Sequence, residues 1–354
     1  MKIAIDCRLI GQSGIGTFIE NVVHHIVEAP DMEFVLIGNR DRLSVYSARA
    51  NCSIVECNYE SFSLKELFCF PTKEVNKCDA FFTPYINIPL GISIPVFSTV
   101  HDVVFFDVRG LCSPLGKLIR YIYIKRALCC SKTVFTVSEF SKGRIEALFR
   151  PKSTVCVCYS GISEELVNYK EHSDVREKKN QIVYLGNLKK QKGIDILLRA
   201  FSIVRKQMIN PPVLVVIGNF NFRTKDTETI ELIKGADKGI IFLQNADNRK
   251  VFDTLSESLA LISPSIYEGL GLPPMEAMYL GTQAVISDIP VYKEIYGSTN
   301  ATFFATGDSE DLARKIMCID KDGHGDLSTI VEDKHNFQTI SNVILNRIKE
   351  IVVK

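Results

Sequence analysis

The chain has 354 residues, 46% of them hydrophobic and 23% charged, with a net charge of +1 at neutral pH. That length suits about two domains, and the balance is that of an ordinary globular protein rather than a disordered or nucleic-acid-binding one. The 11 cysteines are scattered without C-x-x-C pairing, which argues against a zinc site and for buried free thiols in a reducing cytosol. In chain order, short apolar runs alternate with helical patterns. The first half carries KIAIDC (2–7), EFVLIG (33–38), DAFFTP (79–84), PVFSTV (95–100), TVFTVS (133–138) and TVCVCY (154–159). The second half carries QIVYLG (181–186), VLVVIG (213–218), GIIFLQ (239–244), LALIS (259–263) and QAVIS (283–287). Strands apolar on both faces belong to parallel sheets covered by helices. Between the halves, YKEHSDVREKKNQ (169–181) is polar throughout and reads as a hinge or loop. The expectation is α/β: two doubly wound, Rossmann-like domains with a crevice between them, and ligands outside the carboxyl ends of the strands.

The start is strand-like from KIAIDCRLI, so no signal peptide is expected, and no run reaches the length of a membrane-spanning helix. A cytoplasmic chain follows. Residues 109–152 nevertheless hold ten Lys or Arg against Glu139 and Glu146, a local excess of +8. In PLGKLIRYIYIKRALCC (114–130), Leu115, Leu118, Ile119 and Ile122 are spaced to form one helical stripe. That stripe either faces the core or, with its basic neighbours, lies on an anionic membrane. Peripheral contact at the inner membrane face through 114–132 is therefore one expectation.

The most informative stretch is PSIYEGLGLPPMEAMYLGT (264–282). A buried strand, LALIS, precedes it, and a helix from Pro274 to Leu280 follows with proline in its first turn. Glu268 lies in the glycine loop and Glu276 in the first helical turn. A helix start supplies orphan N–H groups and a partial positive charge, and a carboxylate accepts hydrogen bonds from sugar or ribose hydroxyls. A second loop, YLGNLKKQKGIDILLRAF (184–201), follows QIVYLG. Gly186 and Gly193 bracket Lys189, Lys190 and Lys192 before a helix start, an arrangement suited to a diphosphate. His101 in HDVVFFD (101–107) ends the strand PVFSTV. Asp102 either orients His101 or caps the next turn. GQSGIGTFIENVV (11–23) opens the first helix, but Ile19 stands where a dinucleotide fingerprint needs its third glycine, so NAD binding is disfavoured. Asp320-Lys321-Asp322 has the D-x-D spacing of metal-dependent transferases, but it follows a helix near the chain end and reads as a polar loop.

The block from Glu268 to Glu276 resembles the E-x7-E motif of family 4 glycosyltransferases, retaining, metal-independent enzymes of the GT-B type. The resemblance implies two domains, 1–165 on the acceptor side and 166–335 binding nucleotide sugar, with a helix over 336–354 crossing back to the first. It implies no cofactor, and transfer of a hexose to a glycan or lipid-diphosphate-linked acceptor. Among its members, this segment with SDIPVYKE (287–294) looks most like those using GDP-mannose or related donors in bacterial O-antigen or capsule assembly. His101, Lys192 and Glu268 take the catalytic positions. Gly14, Gly16, Asn187, Lys189, Lys190, Gly269, Leu270, Gly271, Leu272 and Glu276 take donor-binding ones. The family's basic loop carries an Arg where this chain has Asn187, or in some relatives where it has Gln191. One planar, bidentate donor to the leaving group is thus absent. This departure keeps an alternative in view, a non-catalytic GT-B subunit supporting a partner transferase.

Overall fold

The structure, a computed structural model, describes residues 1–173, 176–218, 239–327 and 334–353. Its chain forms two units, Met1–Ser163 with Asp333–Lys354, and Glu164–Glu332.

In the first unit β1 (Lys2–Asp6), β2 (Glu33–Gly38), β3 (Cys52–Glu56), β4 (Ala80–Thr83), β5 (Val96–Thr99), β6 (Ser131–Thr136) and β7 (Thr154–Val157) form one parallel sheet. Its order is β3-β2-β1-β4-β5-β6-β7. The central strands are buried nearly throughout because helices cover both faces, as their uninterrupted apolar runs require. The helix Ser13–Ile26 lies on one face, and the helix Phe337–Val352 packs beside it, burying Phe337, Ile340, Ile344 and Ile348 in the same core as Phe18 and Val22. The Ser341 hydroxyl donates to the Val22 carbonyl at 3.2 Å, and Arg347 Nε to Thr133 Oγ1 at 3.2 Å.

In the second unit β8 (Gln181–Leu185), β9 (Val213–Ile217), β10 (Ile240–Leu243), β11 (Ala260–Ser263), β12 (Gln283–Ser287) and β13 (Thr302–Phe304) form a parallel sheet ordered β10-β9-β8-β11-β12-β13. The strands missing from the sequence reading are β3 and β13. Each ends its sheet; Ser53 and Glu56 interrupt the first, and the second is only 3 residues long.

Three local expectations change. Residues 169–172 are not a loop: the helix Glu164–His172 continues through them, with Leu166 buried and the Tyr169 hydroxyl on Asp253 at 2.7 Å. One or two anchoring side chains suffice for so short a helix, which periodicity cannot detect. Residues 174 and 175 of the expected hinge lie outside the described residues. On the helix Pro114–Cys130 the stripe Leu115, Leu118, Ile119 and Ile122 does not face the core; Ile124, Ala127 and Leu128 do, and the stripe is exposed. The cysteines are all free thiols, but only Cys7, Cys57, Cys78 and Cys158 are buried, and Cys69, Cys129, Cys130 and Cys318 are exposed. Among the described residues no helix is long and apolar enough to cross a membrane.

Candidate active site

The second unit brings its two marked loops together at the carboxyl ends of β8 and β11. The backbone does this directly. The Ile266 N–H donates to the Gln191 carbonyl at 2.9 Å. Gly193, at φ +63°, lies so close to Pro264 that a Cβ there would sit 2.0 Å from the Pro264 carbonyl oxygen. Only glycine meets both demands, the left-handed backbone and the close approach. With the loops pinned, Lys192 reaches both oxygens of Glu268, at 2.7 and 2.8 Å, and the Ser265 hydroxyl donates to Glu268 Oε1 at 2.7 Å. The pair is part-buried, with side-chain exposures of 25% for Lys192 and 10% for Glu268, so water and ligand still reach it. Ser265 is the site residue the sequence reading missed. Its signal was its position three residues before Glu268 in the same loop.

Gly271 closes the loop at φ +88°, where a Cβ would meet the Tyr292 ring at 2.3 Å. Tyr296 holds the Gly271 carbonyl at 2.6 Å, and the Tyr292 hydroxyl bonds to Ser263 at 2.7 Å. The helix then runs Leu272–Tyr279, two residues earlier than expected, with Gly271 as its N-cap. Pro273 and Pro274 both fall in its first turn. Of the four N–H groups a helix start leaves orphaned, prolines remove two, so Gly271 and Leu272 are the donors that remain. Glu276 is the fifth helical residue, just beyond the first turn rather than in it. The protein around its carboxyl group pushes its pKa up to about 7 through desolvation. No hydrogen bond or ion pair to a described residue satisfies that carboxyl, which suits it to accept from a ligand's hydroxyls. Leu270 is buried, and Gly269 continues the loop.

Asn187, Lys189 and Lys190 are exposed on the basic loop, and their side chains bond to no described residue. The Asn187 carbonyl accepts from the Tyr184 hydroxyl at 2.9 Å, which fixes the backbone of the loop. A separate cavity of about 490 Å³, lined by Lys178, Leu259, Lys321 and Asp322 among others, lies at the opposite ends of β8 and β11. Asp320 Oδ1 accepts from the Asp322 N–H at 3.1 Å, so this D-x-D spacing closes a local turn. Among the described residues no cluster of three His, Cys, Asp or Glu could hold a metal ion.

In the first unit His101 follows β5. Its Nε2 lies 3.0 Å from the Pro84 carbonyl, which can only accept, so Nε2 carries the proton and Nδ1 is left as an acceptor. Burial pushes its pKa down to about 4, and the ring stands edge-on to Phe18 at 5.0 Å. His101 is thus a neutral hydrogen-bonding group, not a cation. Asp102 accepts from the Val104 N–H at 3.1 Å and so caps the next turn. Gly14 and Gly16 sit inside the first turn of the helix rather than in a loop before it. A Cβ on Gly16 would meet the Leu9 carbonyl at 2.4 Å, which accounts for that glycine by packing, whereas Gly14 faces open space.

The carboxyl end of β1 carries a cluster that no motif announced. Arg8 forks onto Asp6 at 2.8 and 2.7 Å and reaches Glu66 Oε1 at 2.7 Å. The other Glu66 oxygen accepts from the Phe62 N–H at 2.6 Å and from Asn87 at 2.7 Å. Glu66 is fully buried, 58 residues along the chain from Arg8.

Residues 168–334, which contain Lys192, Glu268 and Glu276, match the family profile described as glycosyl transferases group 1. The O-antigen chain mannosyltransferase RfbU of Salmonella typhimurium is 27% identical over 213 residues, 60% of this chain and 57% of that protein. The chain spans less than two thirds of the length of the curated relatives it matches here. Among solved structures, sucrose-phosphate synthase from Thermosynechococcus elongatus superposes with a TM-score of 0.74 at 15% identity, over 100% of this chain and 99% of that one. Anabaena HepE in complex with UDP-glucose gives 0.72 at 17% identity, over 99% and 100%. These likenesses establish the GT-B fold.

Proposed function

We propose that the chain is a retaining, metal-independent glycosyltransferase that moves a hexose from a nucleotide sugar to a glycan or lipid-linked acceptor during assembly of a surface polysaccharide. The observation that carries this reading is the pinning of the basic loop to the Glu268 loop, which sets Lys192 2.7 Å from a carboxylate beside a helix start. In this reading the diphosphate of the donor draws Lys192 toward it, aided by Lys189 or Lys190. Glu268, with the N–H groups between Gly269 and Leu272, then holds sugar hydroxyls. Glu276 accepts the ribose hydroxyls. His101 contacts the sugar as a neutral group, with Gly14 and Gly16 near the diphosphate.

In the transfer step the bond from the anomeric carbon to the phosphate oxygen breaks. The acceptor oxygen bonds to that carbon on the same face, and its proton passes to the departing phosphate. Lys192 stabilises the negative charge that develops on the leaving group; preorganised donors of this kind are typically worth about 10²- to 10³-fold in rate. Likeness to an O-antigen mannosyltransferase supports a GDP-mannose-type donor. Asn187, exposed where relatives carry an arginine, favours the second reading, a non-catalytic subunit.

A thermal-shift screen of the chain against UDP-, GDP-, ADP- and dTDP-sugars tests the proposal. A donor at 100 times its Kd should stabilise the fold by about 2.7 kcal/mol, with a GDP-sugar the expected responder. Silence toward every donor, with stimulation of a partner transferase, would replace the enzyme by the supporting subunit.

A further inference from the structure

The first unit exposes apolar side chains on two neighbouring helices. On the helix Pro114–Cys130, Leu115, Leu118, Ile119 and Ile122 share one face and are between 41% and 66% exposed. On the short helix Leu64–Cys69, Leu64 and Phe68 stand one turn apart at 75% and 71% exposed. The two helices are joined. Phe62 packs edge-to-face on Tyr123 with ring centroids 4.9 Å apart. The segment 88–90 bridges them: Arg126 donates to the Ile88 and Pro89 carbonyls at 3.2 Å each, and the Leu90 N–H donates to the Leu67 carbonyl at 3.0 Å.

The exposed charge on the two helices themselves is positive, with the exposed Glu60 just ahead of the shorter one. The 114–130 segment contains Lys117, Arg120, Lys125 and Arg126 and no acidic residue. On the shorter helix Lys65 is exposed, while its one acid, Glu66, is buried and paired with Arg8, which it shares with Asp6. Large apolar side chains left open together on neighbouring helices are what an interaction surface presents. A positive rim does not suit a second copy of the same face, because a two-fold contact would set like charges together. It does suit negatively charged headgroups, with lysines and arginines extending their charged ends toward phosphates while their stems lie along apolar surface.

We infer that this two-helix face docks on an anionic lipid bilayer, with Leu118, Ile122 and Phe68 entering the headgroup–acyl boundary and Lys65 and Lys117 meeting lipid phosphates. The inference extends the proposed lipid-linked acceptor, since docking brings the chain to the surface where that acceptor resides.

Flotation with vesicles of phosphatidylcholine, alone or mixed with phosphatidylglycerol, tests it without any sugar donor. The wild-type chain should float with the mixed vesicles and be released by added salt. Leu118→Glu with Ile122→Glu should weaken that binding by roughly tenfold or more, and Lys65→Gln with Lys117→Gln should weaken it for anionic vesicles alone. Because the glutamate substitutions fall at exposed positions, their unfolding midpoints should match wild type, so lost flotation would not report misfolding. Absence of the wild type from mixed vesicles would overturn the inference, as would unchanged flotation of the glutamate pair. A wild-type dimer dispersed by that pair would assign the face to a second copy instead. Nucleotide-sugar binding on the same preparations separates failure here from failure of the transferase reading.

Discussion

Two charged clusters stand at the carboxyl ends of first strands, one in each unit. After β1, Arg8 is enclosed by Asp6 and Glu66, and nearly every hydrogen-bonding position of the three is used within the protein. After β8, Lys192 meets one carboxylate with, among the described residues, only Ser265 in support, and a quarter of its side-chain surface is open. Both set a cation against carboxylates, a forked guanidinium with two of them in one case and an ammonium with one in the other, and they differ most in enclosure. A closed network fixes its loop and can be exchanged for nothing. A half-open pair can trade one partner for a ligand of like charge, because water already screens and competes for it. Between these two clusters the enclosed charge serves architecture and the half-open pair belongs to the candidate site, although the pairs Arg144–Asp107 and Arg176–Asp253 show that such exposure alone does not mark a site.

The largest expected effect breaks the closed cluster. Glu66→Ala leaves Arg8 buried with one carboxylate fewer and three hydrogen bonds unmade. Losing one partner of a buried pair typically costs about 3–5 kcal/mol. Urea unfolding should show that loss, and a cost below about 1 kcal/mol would place the cluster with ordinary surface pairs.

A smaller effect concerns Glu276. Its raised pKa means that the folded chain keeps a proton the unfolded chain has lost between the ordinary glutamate range and about pH 7. The folded state binds more protons there, so this residue's contribution to stability falls as pH rises through that window. Glu276→Gln removes the effect. Compared with wild type, the variant should gain on the order of 1–2 kcal/mol of stability from pH 5 to pH 8. Parallel stability curves for the two proteins would show that Glu276 ionises freely.

The sequence carried the architecture well where burial is two-sided. The strand runs from KIAIDC to QAVIS announce parallel strands because both faces of the central ones must be apolar, and the half-buried edge strands Thr154–Val157 and Ile240–Leu243 keep apolar runs as well. The edge strands Cys52–Glu56 and Thr302–Phe304 stayed hidden because Ser53 and Glu56 interrupt the first and the second is only 3 residues long. In the candidate site, Glu268, Glu276 and Lys192 were legible as two separate patterns. Their union was not, because Lys192 and Glu268 are 76 residues apart and the Gln191–Ile266 hydrogen bond joining them involves backbone alone. The Arg8–Glu66 contact escaped for the same reason of distance along the chain. The stripe at Leu115–Ile122 was visible as a pattern, but periodicity cannot say which face of a helix meets the core, and here Ile124, Ala127 and Leu128 take that place.

The most direct test of the half-open site is a calorimetric titration of wild type and Lys192→Ala with whichever nucleotide sugar stabilises the fold. A charge-assisted hydrogen bond is worth about 1.5–3 kcal/mol, so the variant should bind roughly 10- to 100-fold more weakly while its unfolding midpoint stays close to wild type. Equal affinity in the two proteins would contradict the assignment of Lys192 to the donor diphosphate, and with it the reading of this open pair as the site.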